Sequence, residues 1–181
     1  FNRKASDPVN MPDRILEVLE IGPGMVIADI GSGGGYFSIR FAAVVGKEGK
    51  VYSVDTNRRF LDFIKKSAAE KGLGNLETVQ AGEDGMELPR NGLDIVFMRN
   101  ITHHLSDRPG YFRKLKDFLK AGGRVAVIEY RPTRSFSFRG LFGHHVAGEV
   151  IEKEMEEAGF SALRSFDFLP EQHFTVYSSR K

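Results

Sequence analysis

No cysteine occurs in the 181 residues. Disulfides, thiolate metal sites and cysteine nucleophiles are therefore excluded, and the redox compartment is left open. No apolar run approaches the ~20 residues needed to cross a bilayer, and no signal-peptide pattern is visible. These absences give the expectation of a cytoplasmic protein without a transmembrane segment. Charge of one sign is scarce too. Twenty-six basic against 24 acidic side chains leave a net +2, too little to argue for a nucleic-acid partner. There is no internal repeat and no low-complexity linker. The first residue is Phe1 rather than Met, so a truncated or processed start is expected.

What is present is an ordinary globular composition, 41% apolar and 28% charged. The length suits one domain, residues 1–181, with a helical lead to about residue 22. Its organising stretch runs from Val26 to Phe37. A short apolar run, Val26 to Ile30, carries Asp29 and then meets Gly31, Gly33, Gly34 and Gly35. An amphipathic run follows, through Phe37, Ile39, Phe41, Ala42, Val44 and Val45. The pattern reads as buried strand, tight loop and helix. A loop of this kind lets a ligand approach the backbone and feeds a helix N-terminus that favours negative charge.

The next strand, Val51 to Asp55, ends in an acid twenty residues after Gly35. An acid placed there can bind both ribose hydroxyls of a nucleoside lying across the loop. A chance glycine-rich turn is the plain alternative. The dinucleotide fingerprint G-x-G-x-x-G/A fits poorly. Counted from Gly31 it reaches Tyr36, and counted from Gly33 it reaches Ser38. The spacing present is Asp29, Gly31, Gly33, Gly35.

In that spacing the chain resembles the class I S-adenosylmethionine-dependent methyltransferases, and the match runs through nearly the whole length. The resemblance implies an α/β, Rossmann-like fold, with a seven-stranded, mostly parallel sheet, an antiparallel last strand and helices on both faces. It implies S-adenosylmethionine as cofactor. The cofactor-binding loop would be Gly31, Ser32, Gly33 and Gly35. Asp29 would hold the ammonium side, and Asp55, with Thr56 beside it, the ribose. In the loop Ala81 to Pro89, Asp84 matches by count the acid that meets the adenine amine, Glu83 is the alternative if the register slips by one, and Gly85 completes the loop. An ordinary solvated acidic loop is the competing reading there.

Beyond the fourth strand, Leu93 to Met98, stand Arg99, Asn100, Ile101, Thr102, His103, His104 and Leu105. Ligand sites in open α/β sheets lie beyond the carboxyl ends of strands, so this run should face the transferring methyl group. Arg-Asn-Ile-Thr resembles the corresponding motif of the ubiquinone/menaquinone C-methyltransferases, and His-His-Leu is common in the methyltransferase type 11 group. Arg99 and Asn100 are cofactor-binding candidates by this resemblance. His103 and His104 are the acid/base candidates by placement. Adjacent residues rarely both face one cavity, so at most one is expected to function, and the sequence prefers neither.

Elsewhere the sequence predicts an irregular polar lead over residues 1–10 and a helix from Pro12. It predicts a helix capped by Asn57 and another capped by Ser106 or Asp107 that ends at Gly122 and Gly123. A helix from Val146 to Ala158 should turn Val150, Ile151 and Met155 inward. Two strands, Phe160 to Leu169 and His173 to Ser179, should close the sheet. The segment Arg131 to His145 interleaves arginines with Phe136, Phe138, Leu141 and Phe142. It reads equally as a substrate cover, with peripheral membrane contact, and as a rigid packed connection. Two adjacent histidine pairs, 103–104 and 144–145, lack metal-ligand spacing, so no metal is expected.

The expected reaction is methyl transfer to a small-molecule acceptor by in-line displacement. The lack of cysteine argues against the arsenic methyltransferases, which resemble the same core. A nicotinamide-dependent oxidoreductase and a non-catalytic S-adenosylmethionine-binding module are the rival readings.

Overall fold

Apolar runs of period 2 and period 3.6 alternate along the chain. The computed structural model, which describes residues 2–82, 85–132 and 146–179, turns them into one twisted sheet between helices. The strands are β1 (Val26–Ile30), β2 (Lys50–Asp55), β3 (Leu76–Gln80), β4 (Leu93–Arg99), β5 (Leu119–Tyr130), β6 (Phe160–Phe166) and β7 (Gln172–Ser179). Their order is β3-β2-β1-β4-β5-β7-β6. β3, β2, β1, β4 and β5 pair in parallel. β7 lies antiparallel between β5 and β6, so it alone runs against the rest. The expected fold, with its reversed final strand, is the one observed.

The central strands are buried on both faces, which is why they read as near-continuous apolar runs rather than alternating ones. Six helices are described: α1 (Asn2–Ala5), α2 (Pro12–Val18), α3 (Tyr36–Val45), α4 (Arg58–Glu70), α5 (Arg108–Leu115) and α6 (Gly148–Glu157). One core joins Ile15 and Leu19 to Phe37, Phe41, Phe97, Ile128 and Phe174, so α2 and α3 cover that face. The other joins Val96, Met98, Val125 and Val127 to Phe112, Leu115, Ile151 and Met155, under α5 and α6. α4 packs along β2 and β3.

Local chemistry sets the helix ends. Asn57 Oδ1 accepts from the Arg59 N–H at 3.0 Å and starts α4, as expected of an N-cap. Of the two candidates for α5, Asp107 is the cap, accepting from the Gly110 N–H at 2.9 Å.

Four expectations need correction. The lead is not irregular: residues 2–5 form α1 and Pro8–Asn10 a 3-10 turn capped by Asp7. Gly122 and Gly123 do not end α5, which stops at Leu115. They sit inside β5, where the pairing register slips opposite Leu93. Gly122 has φ 79°, and a Cβ on Gly123 would lie 2.8 Å from the Leu93 carbonyl, so glycine is demanded by the irregular strand. Val150 is not inward but 43% exposed, while Ile151 and Met155, one helical turn apart, are buried. The two closing strands are displaced: β6 ends at Phe166, three residues before the expected Leu169, and β7 begins at Gln172, one residue before the expected His173. No described helix is long and apolar enough to cross a membrane.

Candidate functional site

The strand order reverses at β1, which has β2 on one side and β4 on the other. The loops leaving β1 and β4 therefore diverge, and a crevice opens at the carboxyl ends of the strands. The glycine loop, Asp55 and the Arg99–His104 run all stand on its rim.

The loop is built by its backbone. Gly31 and Ser32 both donate to the Val54 carbonyl, at 2.9 and 3.1 Å. Gly31, Gly33 and Gly35 have φ of 73°, 52° and 74°, where a Cβ is strained. A Cβ on Gly31 would also run into the Ile101 side chain, and one on Gly35 would lie 2.5 Å from Ile64. The smallness of Gly31 thus serves packing as well as backbone conformation. Gly31→Ala is expected to cost about 2–4 kcal/mol, from left-handed strain and overpacking together, read as a lowered urea midpoint. An unchanged midpoint would show that Ile101 moves aside freely.

Asp55 ties the loop to α4. Its Oδ2 accepts from the Gly33 N–H at 2.9 Å and its Oδ1 from the Asn57 N–H at 2.8 Å. Each oxygen keeps a second lone pair. Thr56 is exposed beside it. Ser32 Oγ is buried and has no hydrogen-bond partner among the described residues, an arrangement that costs free energy unless something else meets it. Gly85 is exposed and exchanges backbone hydrogen bonds with Gly82 at 2.8 and 3.2 Å. Glu83 and Asp84 lie outside the described residues, as do residues 133–145 of the arginine- and phenylalanine-rich segment.

Asp29 is turned inward, 3% exposed, with Oδ2 accepting from Ser38 Oγ at 2.5 Å. Ser38 Oγ lies 2.9 Å from Ser53 Oγ. Burial is the main cause that pushes its carboxyl up to about 6, helped by repulsion from Asp55, while the Ser38 hydrogen bonds and Arg99 pull the other way.

The run after β4 divides between the two faces of the sheet. Arg99 Nη2 donates to Asn10 Oδ1 at 2.9 Å and to Gln172 Oε1 at 3.2 Å, and its guanidinium stands 5.2 Å from the Phe37 ring. Its Nε is buried without a partner among the described residues, and burial lowers its pKa from the ordinary arginine value. Asn100 adopts φ 55°, and its Oδ1 accepts from Gln172 Nε2 at 2.6 Å. Gln172, 1% exposed, therefore orients both candidates. Nothing local in the sequence marks it, because it arrives through the insertion of β7 beside β5.

On the other face, Glu129 at the end of β5 is fully buried. Its Oε2 accepts from the Thr102 N–H at 3.0 Å and from Thr102 Oγ1 at 2.6 Å, and lies 3.1 Å from His103 Nδ1. Oε1 accepts from the Tyr130 N–H at 2.9 Å. Burial alone would raise this carboxyl, but the hydrogen bonds from His103, Thr102 and Tyr130 outweigh it and hold it below its ordinary value. His103 is nearly buried and His104 exposed, their ring centroids 4.1 Å apart. Nearby, His173 Nε2 lies 3.0 Å from the Val146 carbonyl, and burial lowers its pKa. Among the described residues no group of three or more histidines and carboxylates is placed to hold a metal. His144 and His145 lie outside them.

These residues suit a nucleoside carrying a charged amino-acid end. Asp55 keeps lone pairs free of the Gly33 and Asn57 contacts, and Ser32 Oγ and Arg99 Nε lack partners among the described residues.

A family model described as "Methyltransferase domain" matches residues 21–165. A ubiquinone/menaquinone biosynthesis C-methyltransferase from Shewanella sp. strain ANA-3 is 26% identical over 154 residues, covering 81% of this chain and 61% of that one. The protein of the same name from Ectopseudomonas mendocina is 31% identical over 151 residues, covering 75% and 57%. The chain thus spans about three fifths of the length of the curated relatives it matches. Among solved structures, a SAM-dependent methyltransferase from Aquifex aeolicus superposes with a TM-score of 0.86 at 23% identity, over 97% of this chain and 95% of that one. A [4+2]-cyclase, SpnF, shares the fold with a TM-score of 0.73 at 20% identity, over 87% and 60%. The matched family model and the strand order place this chain in the methyltransferase-domain family, among the class I, S-adenosylmethionine-dependent methyltransferases.

Proposed function

We propose that the chain is a single-domain enzyme that transfers a methyl group from S-adenosylmethionine to a small-molecule acceptor by in-line displacement. The observation that carries this is Asp55, bridging Gly33 and Asn57 at the point where the strand order reverses. The bound cofactor supplies a methyl carbon made electrophilic by its sulfonium.

The chain's residues hold and orient. Asp55 accepts the ribose hydroxyls, with Thr56 beside it. Ser32 Oγ and the loop backbone of Gly31, Gly33 and Gly35 meet the amino-acid end. Asp29 favours the ammonium through its buried charge. Arg99 and Asn100, set by Gln172, would meet the same end, and by their count in the sequence Asp84 or Glu83, with Gly85, would serve adenine. His103 accepts the acceptor's proton, and His104, exposed beside it, is the second candidate. Holding both reactants in line can supply about 7–11 kcal/mol of the barrier reduction.

For the acceptor we favour an aromatic or quinone-like carbon acid, because the curated relatives are named for ubiquinone and menaquinone biosynthesis. The segment Arg131 to His145, of which residues 133–145 lie outside the described residues, is kept as the candidate for an acceptor cover and peripheral membrane contact on its composition alone. The reading includes a cytoplasmic location and no nucleic-acid partner. Incubation with S-adenosylmethionine and a panel headed by 1,4-dihydroxynaphthalene tests it by mass spectrometry. Methylated product and S-adenosylhomocysteine should appear one for one. No methylated product from any acceptor, with the cofactor still bound, would favour the second reading, a cofactor-binding protein that transfers no methyl group. The shared fold of a named [4+2]-cyclase gives that reading its footing.

A further inference from the structure

We infer that Tyr111 is a positioning residue for base recognition, fastening the loop after β3 through Met86 so that the turn closed by Gly82 and Gly85 keeps its place beside Asp55. This rests on the reading of that loop as the one that serves adenine. Tyr111 stands on α5 and Met86 follows Gly85, and the Tyr111 hydroxyl donates to Met86 Sδ at 3.9 Å. The contact joins the loop leaving β3 to the helix that follows β4.

The loop has few other ties. The Ala81 N–H donates to the Asp55 carbonyl at 3.0 Å, and Gly82 and Gly85 then close the turn on each other at 2.8 and 3.2 Å. From Met86 to Pro89 the backbone makes no hydrogen bond among the described residues. Leu88 holds this stretch by burial, which has no direction. Its one polar tether among the described residues is the Tyr111 hydroxyl. The turn is thus held at two points, at Asp55 before it and at Tyr111 after it.

The hydroxyl is the informative group. Tyr111 packs with Met86, Ile101 and Leu105 against the core under α5 and α6, a wall that phenylalanine would fill as well. Burial pushes the phenol up to about 12, so it stays a donor near neutral pH. Withdrawing a hydroxyl from water costs free energy unless a partner replaces the lost bond, and here the partner is a thioether, a weak acceptor. The flexible methionine side chain adapts to the donor's position rather than the reverse. The tyrosine on its helix is the fixed end of the pair and Met86 on its loop the movable one.

Calorimetry on the full chain tests this with S-adenosylhomocysteine and S-inosylhomocysteine, which carries an oxygen where adenine carries its amine. The native protein should prefer the adenine compound about tenfold or more, the worth of one hydrogen bond to a charged acceptor. In Tyr111→Phe that preference should shrink about threefold or more through weaker binding of the adenine compound, as a misplaced turn loses part of that bond. The urea midpoint should stay where it is. Met86→Leu, a swap of similar volume, should shrink the preference to the same extent, and the double variant no further, as two ends of one contact require. A Tyr111→Phe protein that keeps the native preference overturns the inference. So does one that binds both compounds more weakly by the same factor. A native protein that binds the two compounds equally would overturn the adenine reading of the loop and this inference with it, while leaving methyl transfer standing. A native protein that binds neither would overturn the function proposed above.

Discussion

Asp55→Ala is expected to weaken S-adenosylmethionine binding roughly ten- to a hundredfold, the loss of about 1.5–3 kcal/mol that follows when a charged acceptor of hydroxyl hydrogen bonds is removed. The loss has two sources that can be separated. One is direct, because the ribose hydroxyls lose their acceptor. The other is preorganisation, because the Gly33 and Asn57 N–H groups lose theirs and the loop is no longer pinned to α4. Asp55→Asn keeps an accepting oxygen and should recover part of the affinity. Calorimetry on the three proteins checks this. Equal affinity in all three would remove Asp55 from the cofactor site.

Asp29→Asn has the opposite sign on stability. The folded carboxyl titrates at about 6, above its ordinary 3.8. A carboxyl raised on folding binds its proton more tightly in the folded state. Its burial therefore costs stability in full above about pH 6, about 3 kcal/mol for a shift of this size. The cost shrinks as the pH falls through the window between 6 and 3.8, and is gone below it. Asparagine carries no charge and still offers Ser38 Oγ an acceptor. Urea unfolding should show the variant more stable near pH 7.5, by up to about 3 kcal/mol, and the gain should vanish near pH 4. Cofactor affinity should drop several-fold, since the buried negative charge is lost. A buried carboxylate that costs stability and aids binding is what a functional site tolerates. Equal stability of both proteins across this range would show that Asp29 is not charged at the expense of the fold.

Local signals were legible in the sequence and long-range ones were not. β1 covers the residues its apolar run predicts, because five residues, four of them buried, ending at glycines leave little choice. Asn57 caps α4 because the cap is a contact two residues away. The glycine loop and Asp55 share the crevice as their spacing implied, since strand, loop and helix form one local unit. Gln172 was missed because its partners, Arg99 and Asn100, lie more than seventy residues away and meet it only when β7 enters between β5 and β6. The contact of Glu129 with Thr102 and His103 depends on the parallel register of β4 and β5, which composition does not encode. Gly122 and Gly123 resembled a helix stop, and only the slip opposite Leu93 makes them strand residues. The N-terminal lead looked irregular because its order comes from the Asp7 cap and the contact of Asn10 with Arg99 rather than from helix propensity.

The most direct measurement is calorimetric titration of the purified chain with S-adenosylmethionine, S-adenosylhomocysteine and NAD under one set of conditions. Binding of the first two at micromolar levels, with no response to NAD, is the predicted result. Tight binding of NAD, with no response to either sulfur compound, would contradict the account and move the search to hydride transfer.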